Sequence, residues 1–131
     1  MIIPGARRKR ILIVDDEPAI REFCQRVLTE EGFEAATASN GTIALAMISK
    51  QEYELYLVDI RMPEMNGKEM YESLQKTYPR SVGRVVFITD SALGTETGSF
   101  LQSSGRPILL KPFTTNELKA IIRQALKAVE G

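Results

Sequence analysis

The sequence contains no histidine, no tryptophan and a single cysteine, Cys24. Without histidine there is no imidazole metal ligand, no imidazole general base and no Ser–His or Cys–His nucleophile. One cysteine excludes an internal disulfide and points to a reducing compartment, so a cytoplasmic location is expected. Cys24 falls on an apolar helical stripe and reads as a core residue. No apolar run approaches the roughly 18 residues of a membrane-spanning helix. A dominant charge is missing as well. Lys+Arg and Asp+Glu are both 17, which gives no reason to expect a nucleic-acid or membrane partner. Repeats and low-complexity tracts are absent too. Any chemistry must therefore come from carboxylates, lysine and hydroxyls.

What is present suits an ordinary folded domain. The 131 residues are 44% hydrophobic and 26% charged, as expected for one domain over 1–131. Residues 1–9 read as a lead-in and 10–129 as the core. The cluster Arg7, Arg8, Lys9 and Arg10 reads as solvated charge ahead of a strand, and the start lacks the order of a signal peptide.

Unbroken apolar runs at 11–14, 55–58 and 85–88 predict strands covered on both faces, with a shorter fourth at 108–110. The mixed segment 33–38 suits a sheet edge. Helical patterns fall between. Ile20, Phe23, Cys24, Val27 and Leu28 form one apolar stripe, with Pro18 near its start. Ala44, Leu45 and Ile48 mark a second helix from near Asn40. Met70, Tyr71 and Leu74 mark a third, ending before Pro79. Thr114 and Glu117 form a capping-box pattern ahead of the stripe Leu118, Ile121, Ile122, Ala125 and Leu126. Between Asp90 and Gly105 the glycines Gly94 and Gly98 predict only a short, loosely held helix at 96–103. An interior glycine costs about 1 kcal/mol relative to alanine.

Five strand–helix alternations imply parallel strands joined by right-handed crossovers. The expected fold is an α/β doubly wound, five-stranded parallel sheet of flavodoxin-like type, strand order 2-1-3-4-5, with its site at the carboxyl ends of the strands. Four of those ends carry polar residues: Asp15 and Asp16, Asp59, Thr89, and Lys111. Singly, each has a structural explanation: a helix cap, a turn, a strand residue, a solvated charge. Jointly they suggest one site. Crowded carboxylates need a cation or a proton to offset them, and oxygen donors without imidazole or thiolate select a hard ion, usually Mg2+. A carboxylate can attack phosphorus to form an acyl phosphate. A metal, an ammonium and a hydroxyl offset the negative charge of the incoming group.

The runs Ile11-Leu12-Ile13-Val14-Asp15-Asp16-Glu17-Pro18, Leu57-Val58-Asp59-Ile60-Arg61-Met62-Pro63, Met65-Asn66-Gly67, Ile88-Thr89-Asp90 and Leu110-Lys111-Pro112-Phe113 carry a specific likeness. The sequence resembles the receiver domain of two-component response regulators from about residue 9 to 128. The resemblance implies that Asp59 is the phosphoacceptor. It makes Asp16 the direct metal ligand, Asp15 a ligand acting mainly through water, and the Arg61 carbonyl a backbone ligand. Thr89 corresponds to the switch hydroxyl and Lys111 to the lysine paired with the phosphoryl group. The Lys111–Pro112 bond is expected to be cis. Three positions depart from the family's commonest pattern: Ile108 where an aromatic is frequent, Asp90 where a small residue is usual, and Arg61 beside the acceptor. An aromatic switch at residue 108 is therefore excluded. The run Arg106-Pro107-Ile108-Leu109-Leu110-Lys111-Pro112-Phe113 is similar to receivers attached to hybrid histidine kinases.

By resemblance, a histidine kinase or histidine phosphotransfer protein donates a phosphoryl group to Asp59 with Mg2+. The surface of the fourth helix, fifth strand and fifth helix then changes for an unknown downstream protein, and the same face is a candidate homodimer surface. No turnover of a separate substrate and no output domain within the chain are expected. An aspartate-nucleophile phosphatase would need a second aspartate two residues after its nucleophile, but Arg61 follows Asp59 and Glu17 follows Asp15. A flavodoxin-like cofactor binder would need phosphate-binding hydroxyls and backbone N–H groups in its first loop, whereas Asp15-Asp16-Glu17-Pro18 repels phosphate unless a metal is present. A degenerate receiver used only for docking is opposed by the complete acidic set and Lys111.

Overall fold

A computed structural model describes residues 8–90 and 95–130. The described elements alternate: β1 (Arg10–Val14), α1 (Pro18–Glu30), β2 (Glu34–Ala38), α2 (Gly41–Ile48), β3 (Leu55–Asp59), α3 (Gly67–Thr77), β4 (Val85–Thr89), α4 (Thr95–Ser104), β5 (Ile108–Leu110) and α5 (Thr115–Glu130). All strand pairs are parallel, in the order β2-β1-β3-β4-β5. This is the predicted doubly wound sheet.

Strand alternation divides the core into two layers. On one face Ile11, Ile13, Leu55, Leu57, Val86 and Ile88 pack against α1 and α5 through Cys24, Leu28, Leu118 and Ile122. On the other, Leu12, Val14, Tyr56, Val58 and Phe87 meet α2, α3 and α4 through Ala44, Met70, Leu74 and Leu101. Such side chains each contribute roughly 1.5–3 kcal/mol when fully buried. Coverage on both faces explains why these strands read as unbroken apolar runs. At the edge, β2 is mostly half-buried, matching its mixed composition.

Local signals set the helix ends. Pro18 opens α1, where its missing N–H costs no hydrogen bond. The helix closes where Gly32 takes φ 94°, and the Gly32 and Phe33 N–H groups donate to Thr29 and Leu28 carbonyls. Asn66 and Glu69 form a reciprocal capping box at the start of α3. Thr114 and Glu117 do the same ahead of α5, at 2.8 and 3.1 Å. In α4, Leu101 is deeply buried, and Phe100 packs on Tyr71 and Phe87 with ring centroids 5.6 and 5.5 Å away.

A 3-10 helix over Pro79–Arg84 precedes β4 and has no fully buried residue. Without a buried stripe it left no periodic trace in the sequence. It is tied down by the Arg84 guanidinium on the Tyr53 carbonyl at 2.7 Å. The basic lead-in is partly paired, Lys9 with Glu130 and Arg10 with Glu34. Arg7 and Gly94 lie outside the described residues.

Candidate functional site

The carboxyl end of the sheet collects residues from four strand ends, those of β1, β3, β4 and β5. Asp15 follows β1 directly and is fully buried. Its backbone is fixed: the N–H donates to the Ala38 carbonyl at 3.1 Å, and its carbonyl accepts from Arg21 at 2.7 Å. Its Oδ1 accepts from the Glu17 N–H at 2.8 Å, the short-range turn that aspartate favours. Asp59 closes β3 and is 4% exposed. Its register partner on β4 is Ile88, so Thr89, fully buried, lies one residue further along. The Lys111 N–H donates to the Thr89 carbonyl at 2.8 Å, fixing the end of β5 beside that of β4. The Lys111–Pro112 bond is cis.

Gly67 sits against the end of β3. A Cβ there would meet the Asp59 carbonyl at 2.7 Å and Ile60 Cα at 2.8 Å. Only glycine allows α3 to start this close to Asp59.

Lys111 reaches three carboxylates. Its Nζ lies 2.6 Å from Glu17 Oε1, 3.1 Å from Asp59 Oδ2 and 3.1 Å from Asp15 Oδ2. The Asp15 contact is ionic but off the direction of a hydrogen bond, so Asp15 Oδ2 is buried with no hydrogen-bond partner. Asp59 Oδ1 accepts from the Arg61 N–H at 3.0 Å.

These contacts set the charges. Burial pushes the Asp59 carboxyl up from 3.8 to about 6, and the Asp15 charge adds to the rise. The Arg61 N–H and Lys111 oppose it without cancelling it. For Lys111, burial alone would favour the neutral amine, but the carboxylates of Glu17, Asp15 and Asp59 outweigh it and hold the ammonium more firmly protonated than usual. Cys24 is inert by contrast: burial pushes its thiol up to about 12, so almost no thiolate exists at neutral pH.

The same residues fit a hard divalent cation. Oxygens of Asp15, Glu17 and Asp59 all lie within 4.8 Å of one another, and the buried Asp15 Oδ2, ion-paired with Lys111 but without a hydrogen bond, is available as a ligand atom. An all-oxygen donor set suits Mg2+ or Ca2+ rather than a softer metal. Glu17 belongs to this group although the sequence reading assigned it no role. Its place in the loop after β1 was the available signal. Asp16 is exposed, outside the close carboxylate group, and lines an open depression with Arg61, Met62 and Thr97. Asp15 and Asp59 meet at the Lys111 ammonium, Thr89 ends the neighbouring strand with its carbonyl bonded to the Lys111 N–H, and Asp16 stands at the rim.

The family model for the response regulator receiver domain matches residues 11–123. The chain belongs to that family. Among solved structures, the receiver domain is similar to a CheY-like response regulator receiver protein from Methanospirillum hungatei. It shares 32% identity with it at TM-score 0.85, over 95% of this chain and 98% of that one. It is also similar to response regulator TrrA from Thermotoga maritima, with 33% identity and TM-score 0.76 over 89% of this chain and 98% of that one. TrrA was solved in complex with Mg2+-BeF. A curated relative is the DNA-binding response regulator MtrA of Mycolicibacterium smegmatis, 32% identical over 123 residues, covering 94% of this chain and 53% of MtrA. The receiver spans about half the length of the first curated relatives it matches. The expectation of no nucleic-acid partner rested on balanced charge and finds no support among relatives named as DNA-binding. Among the described residues, no helix is long and apolar enough to cross a membrane.

Proposed function

We propose that this receiver domain takes a phosphoryl group onto Asp59 from the phosphohistidine of a histidine kinase or histidine phosphotransfer protein. The observation that carries the reading is the Asp59 carboxylate, 4% exposed, sharing the Lys111 ammonium with the buried Asp15. The chain has no histidine, so a phosphohistidine donor lies outside these 131 residues. In the transfer the donor N–P bond breaks and an Asp59 O–P bond forms, while the leaving imidazole keeps its lone pair and takes a proton. The resemblance assigns Mg2+ to Asp15, Asp16, Asp59 and the Arg61 carbonyl, while the close carboxylate group is Asp15, Glu17 and Asp59, with Asp16 at its rim. That ion supplies charge neutralisation between carboxylate and phosphoryl oxygens.

The remaining roles belong to the chain itself. Lys111 neutralises a phosphoryl oxygen, and the Thr89 hydroxyl donates to another. Because the Lys111 N–H is bonded to the Thr89 carbonyl at 2.8 Å, movement at Thr89 is transmitted to β5. The face of α4, β5 and α5 is the proposed switching surface, read by a downstream protein or a second copy of the chain. Leu110, half exposed on β5, lies on that face. No turnover of a separate substrate is required.

Labelling with acetyl phosphate, with and without Mg2+, followed by mapping of the modified residue, tests the reading. Labelling is expected at Asp59, to depend on Mg2+ and to be lost in Asp59→Asn. Equal labelling of Asp59→Asn at another residue overturns the assignment. No labelling of the folded wild-type chain by any small phosphodonor favours a docking-only receiver.

A further inference from the structure

Two charged residues beside the acceptor have side chains that the proposed transfer does not use. Arg61 Nη1 lies 3.6 Å from Asp90 Oδ1, and both side chains are more than half exposed. The pair links two connections at the mouth of the site. Arg61 follows Asp59 by two residues, and Asp90 follows Thr89 directly. The Arg61 N–H is on Asp59 Oδ1 at 3.0 Å, which fixes the root of its side chain beside the acceptor. That residue also lines the open depression, about 390 Å³, shared with Asp16 and with Thr97 of α4. Arg61 is thus anchored at the acceptor and faces the first turns of α4.

An exposed pair at this separation is weak. A phosphoryl group on Asp59 carries more charge than one carboxylate and three strong acceptor oxygens. A guanidinium pairs with such oxygens in a forked geometry.

We propose that Arg61 is a positioning residue that exchanges partners. Asp90 holds it in the unmodified chain, and the phosphoryl group on Asp59 takes it over, releasing Asp90 at the head of the connection to α4. The inference rests on Asp59 being the phosphoacceptor. It supplies a second route from Asp59 to α4 beside Thr89, one that needs no aromatic at residue 108, where this chain has Ile108. The two carboxylates facing the exchange are Asp90 and Asp16, of which only Asp90 is paired with Arg61.

The probe is beryllofluoride with saturating Mg2+, titrated into wild type, Asp90→Asn, Arg61→Gln and the double variant. Amide NMR reads both affinity and the shifts of residues 95–104. Both side chains are exposed, so folding is expected to survive. Asp90→Asn is expected to bind about threefold tighter than wild type. Arg61→Gln is expected to bind more weakly and to shift α4 amides less at saturation. The gain from Asp90→Asn is expected to vanish in the Arg61→Gln background. An equal gain in that background reduces Asp90 to a general charge effect and overturns the exchange. Unchanged affinity and unchanged α4 shifts in Arg61→Gln overturn it as well. Asp59→Asn serves as the control. If wild type takes up no beryllofluoride, or Asp59→Asn takes up as much, the phosphoacceptor reading fails and this inference with it. Normal uptake without coupling between Arg61 and Asp90 removes only the inference.

Discussion

Lys111 is closer to Glu17 than to Asp59: its ammonium lies 2.6 Å from Glu17 Oε1 and 3.1 Å from Asp59 Oδ2. Glu17 is exposed and Lys111 is not, so the lysine is held inside the site by a residue at its mouth. Under the proposed function, an arriving phosphoryl group would compete with Glu17 for the same charge.

Glu17→Gln is therefore expected to favour the phosphoryl-bound form. With Mg2+ saturating, beryllofluoride affinity is expected to rise about threefold, the scale of a partly exposed ion pair. Titration followed by NMR measures it. A weaker affinity would make Glu17 a supporting residue rather than a competitor.

Asp59 makes stability depend on pH. Its carboxyl is raised from 3.8 to about 6 by burial and by Asp15, so the folded chain binds that proton more tightly than the unfolded chain. The favourable contribution is complete below about pH 4 and is lost as pH rises through about 6. At pH 8 the ionised carboxylate then costs roughly 3 kcal/mol. Asp59→Asn is expected to be more stable than wild type at pH 8 in chelator, with the difference shrinking toward zero at pH 4. Urea unfolding at both pH values decides it, and a destabilised variant at pH 8 contradicts the assignment of burial as the dominant cause.

The same repulsion predicts stabilisation by a divalent ion. Mg2+ at about 100 times its Kd is expected to add about 2.7 kcal/mol to unfolding free energy. Asp59→Asn and Asp15→Asn are expected to lose most of that gain. Thermal unfolding with Mg2+ and with EDTA measures it.

Gly67→Ala tests the close approach of α3 to the acceptor. The new methyl would fall 2.7 Å from the Asp59 carbonyl and 2.8 Å from Ile60 Cα, against backbone that cannot step aside cheaply. A loss of roughly 1–3 kcal/mol is expected, together with slower labelling of Asp59. Unchanged stability and labelling would show that α3 can shift without moving Asp59.

Much of the molecule is set by local pattern. The apolar runs of β1, β3 and β4, the stripes of α1 and α5, and the capping boxes at Asn66 and Thr114 report burial or backbone satisfaction within a few residues. Alternation of these elements implies a parallel sheet, for which five strands most often take the order 2-1-3-4-5. That arrangement brings Asp15, Asp59, Thr89 and Lys111 to one end of the sheet. Other features needed the folded chain. Glu17 and Lys111 are 94 residues apart, and nothing local to either one announces the contact. Arg61 meets Asp90, and Asp16 stays at the rim while Glu17 turns toward Lys111, through side-chain directions that periodicity does not encode. The raised pKa of Asp59 is likewise a property of the assembled layers. Desolvation depends on what covers a carboxylate from every side, and those neighbours come from distant parts of the chain.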